Sequence, residues 1–592
     1  MTTSVSVPEK HALTTDSLIR PVSLLSSVEK RSASLPTDDL VDETEEQFSW
    51  TKSIFRPNHT VSHDPDAIAT RRSVFDDPGL AQYYWPNKDY ENLHRFDPTA
   101  RWTYREERAL VRKLDWRIML TAAIGFSALN LDRSNISQAN SDNFLQDLEL
   151  TTDGNHPDFN LGNTVFLLAF LCAELPSQLV SKRIGPDRWI PTQICLWSFV
   201  SLSQFWLTGR TSFLVCRALL GVLQGGFIPD LILYLSYFYT KTELPTRLAL
   251  FWMTENFVAI LASFIAYGVL HMDGVAGIAG WRWLFIIEGI LTLLIGIFCF
   301  FNMPPSPTQT KAWFRPKGWF TEREEIVIVN RVLRDDPTKG DMHNREGLTL
   351  RRLWTAVCDY DLWPIYILGL MFGIPNSPPS TYLTLLLTNI GFNTFDTNLL
   401  TIPSLAIGIV TMFWITLVSE SVNERTIVSM MMDLWTLPFL VALYALPSNP
   451  NPWIFFVVAT GLLSYPWGGA LVTPGQWQVE QSTRRCTTCV EFSIFKPETY
   501  SSSARFVQVS GIVSAQIYVA SDAPRYQRGN RTLIIICCVN ICILYPATKV
   551  YYIWRNRQRA KIWDAMTTEE RAHYLSTTKD VGNRRLDFRF AH

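Results

Sequence analysis

The chain has 592 residues, of which 47% are hydrophobic and 13% aromatic, and its formal net charge is −1 at pH 7. This near balance of charges excludes a general affinity for nucleic acid or for acidic partners. The mean hydropathy is only +0.07, because polar tails and a polar central stretch dilute a series of long apolar segments.

The first part of the chain is polar. Residues 1–103 are rich in Ser, Thr, Asp and Pro, so we expect a disordered cytoplasmic tail. The chain starts without the basic flank and apolar core of a secretory signal, and we therefore expect the first membrane span to direct insertion. Thr103 and Glu106 have the spacing of a capping box, which predicts a short basic helix that leads into this span.

Twelve apolar segments follow, each about the twenty residues that a helix needs to cross a bilayer. They predict an all-α membrane protein with six spans in residues 104–301 and six in residues 362–553. The spans are expected at residues 116–136, 161–181, 189–207, 211–237, 248–270, 281–301, 362–387, 399–418, 426–446, 453–473, 506–520 and 532–553. Two six-helix bundles joined by a cytoplasmic central loop, residues 302–361, are the layout of a secondary transporter, and residues 554–592 are a predicted cytoplasmic tail.

Basic residues predict the orientation. The loop after the first span is acidic and has no Lys or Arg, whereas the next loop contains Lys182, Arg183 and Arg188. This asymmetry predicts that both termini are cytoplasmic. The three arginines of residues 525–531 are an exception, because they precede the last span on the predicted outer side.

The central loop contains a second predicted helix. Thr321 and Glu324 form a capping-box pattern, an amphipathic segment follows, and Pro337 ends it. We consider two interpretations equally: a helix that braces the two bundles on the cytoplasmic side, or a solvated linker helix.

Charged residues inside predicted spans are candidate functional residues, since a charge at mid-membrane costs on the order of 3 kcal/mol and usually faces a cavity. The candidates are Asp132, Arg133, Glu174, Arg217, Asp230, Glu255, Glu288 and Asp433. Arg217 is the strongest, because its predicted depth matches that of Asp132 and its planar fork of donors suits a carboxylate. Gln224 lies two turns from Arg217 on the same helical face.

Each candidate has a structural alternative. Arg217 either clamps a substrate anion or forms an ion pair with Asp132 that joins spans 1 and 4. Arg133 either faces the site or extends to the outer surface. Glu288, like Glu174, is interpreted as a group that caps a helix or pairs with loop arginines near a membrane rim. Pro229, within a glycine-rich part of span 4, predicts a gating hinge.

No enzyme motif of the GxxxxGK[ST], HExxH or GxSxG kind occurs in the sequence, so we expect a protein that is not an enzyme and has no cofactor. ATP-driven transport is disfavoured for the same reason, which leaves an ion gradient or the substrate's own gradient as the energy source. Cys486 and Cys489 form a CxxC pair, which we interpret as incidental and not as a metal site.

The segments LDRSNISQAN, CRALLGVLQGGFIPD and GWRWLFIIEG, together with DAPRYQRGNR in the second half, resemble the fungal allantoate permease family. This family belongs to the anion:cation symporters of the major facilitator superfamily, and the resemblance covers about residues 112–553. It implies a twelve-helix facilitator fold, alternating access, and uptake of a small organic anion, typically with protons. Family members are described as carriers of substrates such as allantoate, pantothenate, biotin or nicotinate.

The resemblance also implies roles for individual residues. Asp132 and Arg133 match the family's pair in span 1, and Arg217 matches its substrate arginine. Asp132 is then the proton-coupling residue, while Arg217, Arg133 and Gln224 bind substrate. Gln224 departs from bacterial relatives, which have a proton-binding glutamate there; an amide cannot titrate, so coupling would depend on Asp132 or transport would be uniport.

The loop between spans 2 and 3 also matches the superfamily. The segment SKRIGPDRW, with Gly185, Asp187 and Arg188, matches the gating loop, and Pro229 completes the predicted gating residues.

A second departure lies between spans 10 and 11. Residues 486–505 contain Glu491, Lys496, Pro497 and Glu498 where the family has small and apolar residues. We expect this segment to stay in the cytoplasm and to leave span 11 short. A retained intron or misplaced exon boundary is the favoured explanation, and a divergent helix is the alternative.

The leading prediction is a monomeric, proton-linked importer of a small carboxylate or vitamin-like anion in a fungal plasma membrane. Its partners are the anion, protons and the lipid bilayer, with no nucleic acid. One alternative is an exporter of a secondary metabolite in the same fold. Another is a nutrient receptor that keeps the substrate site and does not transport.

Overall fold

The computed structural model describes residues 64–76, 81, 84–88, 90–140, 143–150, 157–240, 243–337, 339, 358–422, 425–447, 451–466, 509–522, 525–577 and 586. Within these residues the secondary structure is helical, apart from two isolated β-bridges, which confirms the predicted fold class. Seven helices of the described part are long and apolar enough to cross a membrane, judged by length and composition.

In the described residues of the first half, up to residue 302, we number nine α-helices. They are α1 Tyr104–Leu114, α2 Leu120–Ala139, α3 Phe144–Asp147, α4 Pro157–Ile184, α5 Pro186–Ser203, α6 Arg210–Gln224, α7 Phe227–Ser236, α8 Leu244–Leu270 and α9 Gly280–Asn302. A turn of π-helix, Asp115–Met119, connects α1 to α2, so the predicted short helix and span 1 are continuous. Thr103 caps α1 with the predicted capping box.

The described helices of the central loop and second half begin with α10. They are α10 Glu322–Asp335, α11 Trp363–Phe372, α12 Ser377–Ile390, α13 Thr394–Leu400, α14 Ile402–Val422, α15 Arg425–Ala445, α16 Pro452–Leu463, α17 Gln527–Val539, α18 Tyr545–Ala565 and α19 Thr568–Thr577. Predicted span 7 is divided between α11 and α12. Of predicted span 11, residues 509–514 are helical, and the atypical segment 486–505 and the Cys486–Cys489 pair lie outside the described residues.

Span 4 is a broken helix and not the single helix that was predicted. Gly226 separates α6 from α7 with a φ of +83°, a conformation that glycine adopts without a steric penalty. Gln193 of α5 donates from its amide nitrogen to the carbonyl oxygens of Leu223 and Gly225, each at 3.1 Å. Carbonyls freed by the break therefore keep a partner inside the bundle, as a membrane environment requires.

Helix α6 lies very close to α4. A Cβ atom added to Gly221 would come within 2.4 Å of the carbonyl oxygen of Phe166, and one added to Gly225 within 2.8 Å of that of Phe170. Glycine at these positions lets the two backbones touch, which is the usual role of small residues between membrane helices.

Contacts between several helices join the two halves. Helix α8 packs against α13 and α14, and α2 packs against α12. We call the end of the molecule that carries α10 the loop face, and the opposite end, where α2 ends and α4 begins, the distal face.

Helix α10 packs on the first half and is not a solvated linker. Its Arg331 donates to Glu243 at 2.8 Å and lies 3.7 Å from Glu107, while Glu324 accepts from Lys113 of α1 at 2.8 Å. Burial raises the pKa of Glu243, but the attraction of Arg331 and Arg247 outweighs it and leaves this pKa below its ordinary value. These contacts attach α10 to the first half, and a brace between the two bundles stays a prediction.

The described part of residues 64–103 is folded, although the sequence assigns it to a disordered tail. Trp102 is buried and donates from its backbone nitrogen to the Thr70 hydroxyl at 3.0 Å. Asp76 pairs with the buried Arg334 of α10, and Phe75 packs in a cluster with Leu333 of the same helix. This segment folds because α10 presents an apolar stripe and buried arginines, and the polar residues of the segment cover them.

The contact between α4 and α6 generates a first prediction. Gly221→Ala should destabilise the first half by about 2 kcal/mol, because a methyl group would overlap the Phe166 carbonyl. The thermal midpoint of the purified protein in detergent measures this loss. Gly268→Ala in α8 is the matched control, since its Cβ would meet no atom within 4 Å; equal midpoints for both variants would contradict the close packing.

Candidate functional site

Asp132 and Gln224 form the polar centre of the first half. Asp132 lies on α2 and Gln224 ends α6, and both side chains are buried. The Gln224 amide nitrogen donates to one carboxylate oxygen of Asp132 at 2.5 Å, while the other oxygen of Asp132 has no hydrogen-bond partner among the described residues. Gln224 thus contacts Asp132 directly.

Arg217 lies two turns before Gln224 on α6 and is also buried. It donates to the Asn163 side-chain oxygen at 3.0 Å, and its Nε has no partner among the described residues. The structure shows no carboxylate within the 4.0 Å of an ion pair from this guanidinium, in the part of the chain that it describes. The alternative of a direct ion pair with Asp132 is therefore wrong, because Gln224 occupies the carboxylate instead.

Aromatic rings surround the two arginines. The Arg217 guanidinium lies 5.4 Å from the ring centre of Phe166, and that of Arg133 lies 5.9 Å from the same ring and 5.3 Å from Phe170. These are distances at which a cation is attracted to the face of a ring. Both guanidiniums therefore lie near the Phe166 ring, and Arg133 is half-buried next to the site, not extended along the outer surface.

The predicted gating residues lie at the loop face. Gly185 connects α4 to α5 with a φ of +104°, and a Cβ there would come within 2.4 Å of an Asp187 oxygen. Arg188 is exposed and lies 3.9 Å from Asp187. Pro229 is in the first turn of α7, directly after the break in span 4. The structure thus places these residues at the entry of α5 and at a real interruption of a helix.

At the distal face, hydrogen bonds join the two halves. Their side chains were not among the predicted site residues. The Tyr382 hydroxyl of α12 donates to the side-chain oxygen of Asn160 at the start of α4. The Thr384 hydroxyl donates to the Ser137 carbonyl at 3.0 Å, and Gln516 donates to the Thr164 hydroxyl at 2.9 Å. These three hydrogen bonds join the two halves at the distal face.

Sequence reasoning missed Asn160 and Asn163, which lie one turn apart on α4. The sequence did indicate these two residues, because two side-chain amides three residues apart at the start of an apolar span need buried hydrogen-bond partners. Gln193, which bridges the break in span 4, was missed in the same way.

The prediction for Glu288 is wrong. It does not pair with a loop arginine: it is 0% exposed on α9, and neither carboxylate oxygen has a hydrogen-bond partner in the described part of the chain. Arg282, the arginine on the same helix, donates to the carbonyls of Phe205 and Leu207 instead.

The described part of the second half also contains a buried carboxyl group within a span. Asp433 of α15 is buried and accepts from the Asn540 amide at 3.2 Å, and the Cys537 thiol lies 3.5 Å from its other oxygen. Both partners come from the last membrane span, so this carboxyl joins two helices of its own half.

Comparisons with known proteins agree with this architecture. Residues 122–482 match the family described as Major Facilitator Superfamily. The chain is 41% identical over 559 residues to "Uncharacterized transporter YIL166C" of Saccharomyces cerevisiae, covering 94% of this chain and 98% of that protein. It is 25% identical to "MFS-type transporter cnsO" of Penicillium expansum, covering 78% of this chain and 88% of that protein.

Solved structures share the fold at low identity. The structure of the proton:xylose symporter XylE bound to 6-bromo-6-deoxy-D-glucose has a TM-score of 0.51 and 14% sequence identity. The match covers 72% of this chain and 95% of that one. The predicted twelve-helix architecture in two bundles is confirmed at the level of fold.

The distal contacts generate a second prediction. Tyr382→Phe removes one hydrogen bond between the halves and should shift the conformational equilibrium towards opening at the distal face by about 1 kcal/mol, roughly fivefold. Spin labels at exposed Thr208 and Asn451, in a background without other cysteines, measure the distance between the halves. Tyr444→Phe, at an exposed tyrosine, is the control; an unchanged distance distribution in Tyr382→Phe would show that this bond does not hold the face closed.

Proposed function

Because this chain belongs to the major facilitator superfamily, and is therefore a secondary transporter and not an enzyme, we propose that it carries a small organic anion together with protons. Within the superfamily we place it with the allantoate permease family, on the motifs of spans 1, 4 and 6. The substrate class is then a carboxylate or a vitamin-like anion.

The buried guanidinium of Arg217 carries the proposal. A buried cation without a charged partner is unfavourable by several kcal/mol, and such residues in membrane spans usually serve a substrate or ion. Arg217 has a neutral amide, Asn163, and aromatic rings around it, but no carboxylate within ion-pair distance among the described residues. An anion that enters the site supplies the missing negative charge and accepts from the guanidinium fork.

Arg133 and the aromatic rings shape the same site. Arg133 and Arg217 lie near the same Phe166 ring, so an anion with a flat apolar part can bind its charge to a guanidinium and place its body on the rings. Gln224 affects substrate binding indirectly. It donates a hydrogen bond to Asp132, and Arg217 is then not engaged in an ion pair with this carboxylate.

Proton coupling is assigned to Asp132. Its negative charge and the positive charge of Arg217 attract each other in a medium of low dielectric constant. An anion bound to Arg217 offsets this attraction, so Asp132 then takes up a proton more readily. Binding of anion and proton is thereby cooperative, which is the requirement for symport.

Gating roles are assigned to Gly185, Asp187, Arg188 and Pro229. They lie at the loop face, while the distal face is held closed by Asn160 and Tyr382. We propose that the loop face is cytoplasmic, that both termini lie on this side, and that the transporter imports its anion across the plasma membrane.

A transport assay tests the function. Yeast cells that lack their own carriers receive this protein and a panel of labelled organic anions. Uptake that rises at acidic external pH supports the proposal. Efflux from preloaded vesicles without uptake would indicate an exporter, and saturable binding without flux would indicate a receptor.

Arg217→Lys should abolish uptake, by roughly 100-fold or more, while membrane abundance stays near that of the wild type. Lysine keeps the charge but loses the planar fork. Arg210→Lys is the matched control on the same helix, because Arg210 is exposed and pairs with Asp158 at 2.8 Å. Equal uptake in both variants would reject Arg217 as the anion-binding residue, and loss of abundance in Arg217→Lys would indicate a structural role.

Asp132→Asn should remove the pH dependence of uptake, because an amide does not titrate. Wild-type uptake should fall as the pH rises, since the protonated form becomes rarer. Asp396→Asn, at an exposed residue of α13, should keep the wild-type profile. A wild-type profile in Asp132→Asn would show that the proton binds elsewhere.

A further inference from the structure

Two arginines converge on one tryptophan at the loop face. The guanidinium carbon of Arg315 lies 4.0 Å from the ring centre of Trp319, and that of Arg117 lies 5.7 Å from the same ring. Arg117 belongs to the π-helical turn before α2, whereas Arg315 and Trp319 belong to the segment that follows α9. The ring attracts each cation, but the two positive charges repel each other, so an anion between them would be bound favourably.

No negative group of the described chain compensates these two charges. Neither guanidinium lies within the 4.0 Å of an ion pair from a carboxylate in the part of the chain that the structure describes. Residues 303–320 contain no Asp or Glu. Asp115, two residues before Arg117, accepts instead from the Nε of Arg247 at 2.8 Å. A phosphate oxygen could accept from both guanidiniums, since Arg–phosphate bonds are among the strongest in proteins.

The indole of Trp319 supplies a third donor. Trp319 is only 7% exposed, and its Nε1 is buried and has no acceptor among the described residues. Buried donors in native structures normally have a partner, so one without an acceptor indicates a group that is bound from outside the chain. Three donors with no acceptor between them have the composition of an anion site.

Hydrogen bonds fix the segment that carries Arg315 and Trp319. Ala312 and Arg315 exchange two backbone hydrogen bonds, of 3.1 and 2.8 Å, which close a tight turn over Trp313 and Phe314. The Arg315 Nε donates to the Thr310 carbonyl at 3.0 Å, and the Trp319 backbone nitrogen donates to the Thr310 hydroxyl at 3.0 Å. The donors are therefore preorganised, which lowers the entropy lost when an anion binds.

The turn lies at the boundary of the membrane. Phe301, an exposed residue in the last turn of α9, packs edge-on against Phe314 with ring centres 5.4 Å apart. Trp313 follows at 5.4 Å from Phe314 and is 88% exposed, and Trp116, next to Arg117, is also exposed. Exposed tryptophans at the end of a membrane span are typical of the headgroup region. The aromatic turn thus continues the lipid-facing surface of α9.

The charge around the turn is positive. Lys311 and Lys317 flank it and are exposed, in addition to the two arginines. A basic cluster next to the cytoplasmic end of a span attracts anionic lipids, which are concentrated in the cytoplasmic leaflet. The loop face is the proposed cytoplasmic side, so the position and the sign of the charge agree.

We propose that Arg117, Arg315 and the indole N–H of Trp319 bind the phosphate of an anionic phospholipid at the loop face. Trp313 and Phe314 then lie among the headgroups and hold the turn in the interface. A soluble phosphate fits the same donors, but it gives no reason for an indole that is 88% exposed beside the end of a membrane span. The exposed rings therefore favour a lipid.

The lipid is a structural partner and not the cargo. Its phosphate joins the start of span 1, through Arg117, to the segment after span 6, through Arg315. Helices α2 and α9 pack against each other, so the bound lipid stabilises the loop-face end of this contact. The inference concerns a surface of the first half and goes beyond the proposed transport of an anion.

Native mass spectrometry of the purified, delipidated protein tests the site. The protein is mixed with phosphatidylserine or with phosphatidylcholine of the same acyl chains, and the bound fraction of each lipid is measured. We expect the wild type to prefer phosphatidylserine. Arg117→Gln and Arg315→Gln should each weaken its binding about fivefold, which corresponds to about 1 kcal/mol per basic residue at an anionic surface.

Two further variants separate the site from a general effect of charge. Arg105→Gln is the matched control, because Arg105 is an exposed arginine of α1 that pairs with Asp66 at 3.1 Å; it should keep the wild-type preference. Trp319→Phe keeps an aromatic ring and removes the N–H donor without any change of charge. It should weaken the binding of phosphatidylserine, which a diffuse attraction to basic residues would not explain.

Equal binding of the two lipids by the wild type would overturn the inference, as would an unchanged preference in both arginine variants. Inorganic phosphate is the probe for the soluble source: a rise of the thermal midpoint with phosphate, without any lipid preference, would assign the site to a free anion. If Arg315→Gln fails to fold, the wild type and Arg117→Gln still decide. No substrate is used, so a failed uptake assay would reject the proposed function and leave this result intact.

Discussion

The close approach of α4 and α6 sets the geometry of the site. Gly221 and Gly225 let the α6 backbone touch the carbonyls of Phe166 and Phe170, which brings Arg217 alongside Asn163 and the aromatic rings of α4. A larger residue at either glycine would push α6 outward. Gln224, two turns from Arg217 on the same face of α6, donates to Asp132 of α2. The positions of the Arg217 guanidinium and of the amide that contacts Asp132 thus both depend on one backbone contact.

Gln224 determines how the charged groups Asp132 and Arg217 are paired. A glutamate at this position would add a second negative charge beside Asp132, and an ionised carboxylate donates no hydrogen bond. The amide donates one, satisfies one oxygen of Asp132 and leaves the Arg217 guanidinium without a charged partner within ion-pair distance in the described structure. In the proposed function, this amide leaves Asp132 as the titratable group next to Arg217.

The two faces of the molecule differ in how they are held. At the distal face, single hydrogen bonds such as that of Tyr382 with Asn160 join the halves, and each contributes about 1 kcal/mol. At the loop face, α10 and the folded part of residues 64–103 add ion pairs and an apolar cluster to the first half. Weak bonds between the halves and a rigid brace within one half are consistent with bundles that move as bodies against each other.

The sequence by itself determined the membrane class, the helical fold and the candidates Asp132 and Arg217. Runs of about twenty apolar residues can be recognised without knowledge of tertiary contacts. A charged residue inside such a run stands out, because a charge in the membrane costs free energy. Only the tertiary structure decided which side chains the charged groups contact. Gln224, seven residues from Arg217 and ninety-two from Asp132, takes the carboxylate that Arg217 was considered to pair with, and Asn163 takes the guanidinium. Glu288 was interpreted as a rim residue and is fully buried, and the break of span 4 at Gly226 was indicated in the sequence only as a hinge at Pro229. The physical reason is the same in each case: hydropathy is a property of a segment, whereas hydrogen-bond partners in a bundle are set by the packing of helices that are distant in sequence.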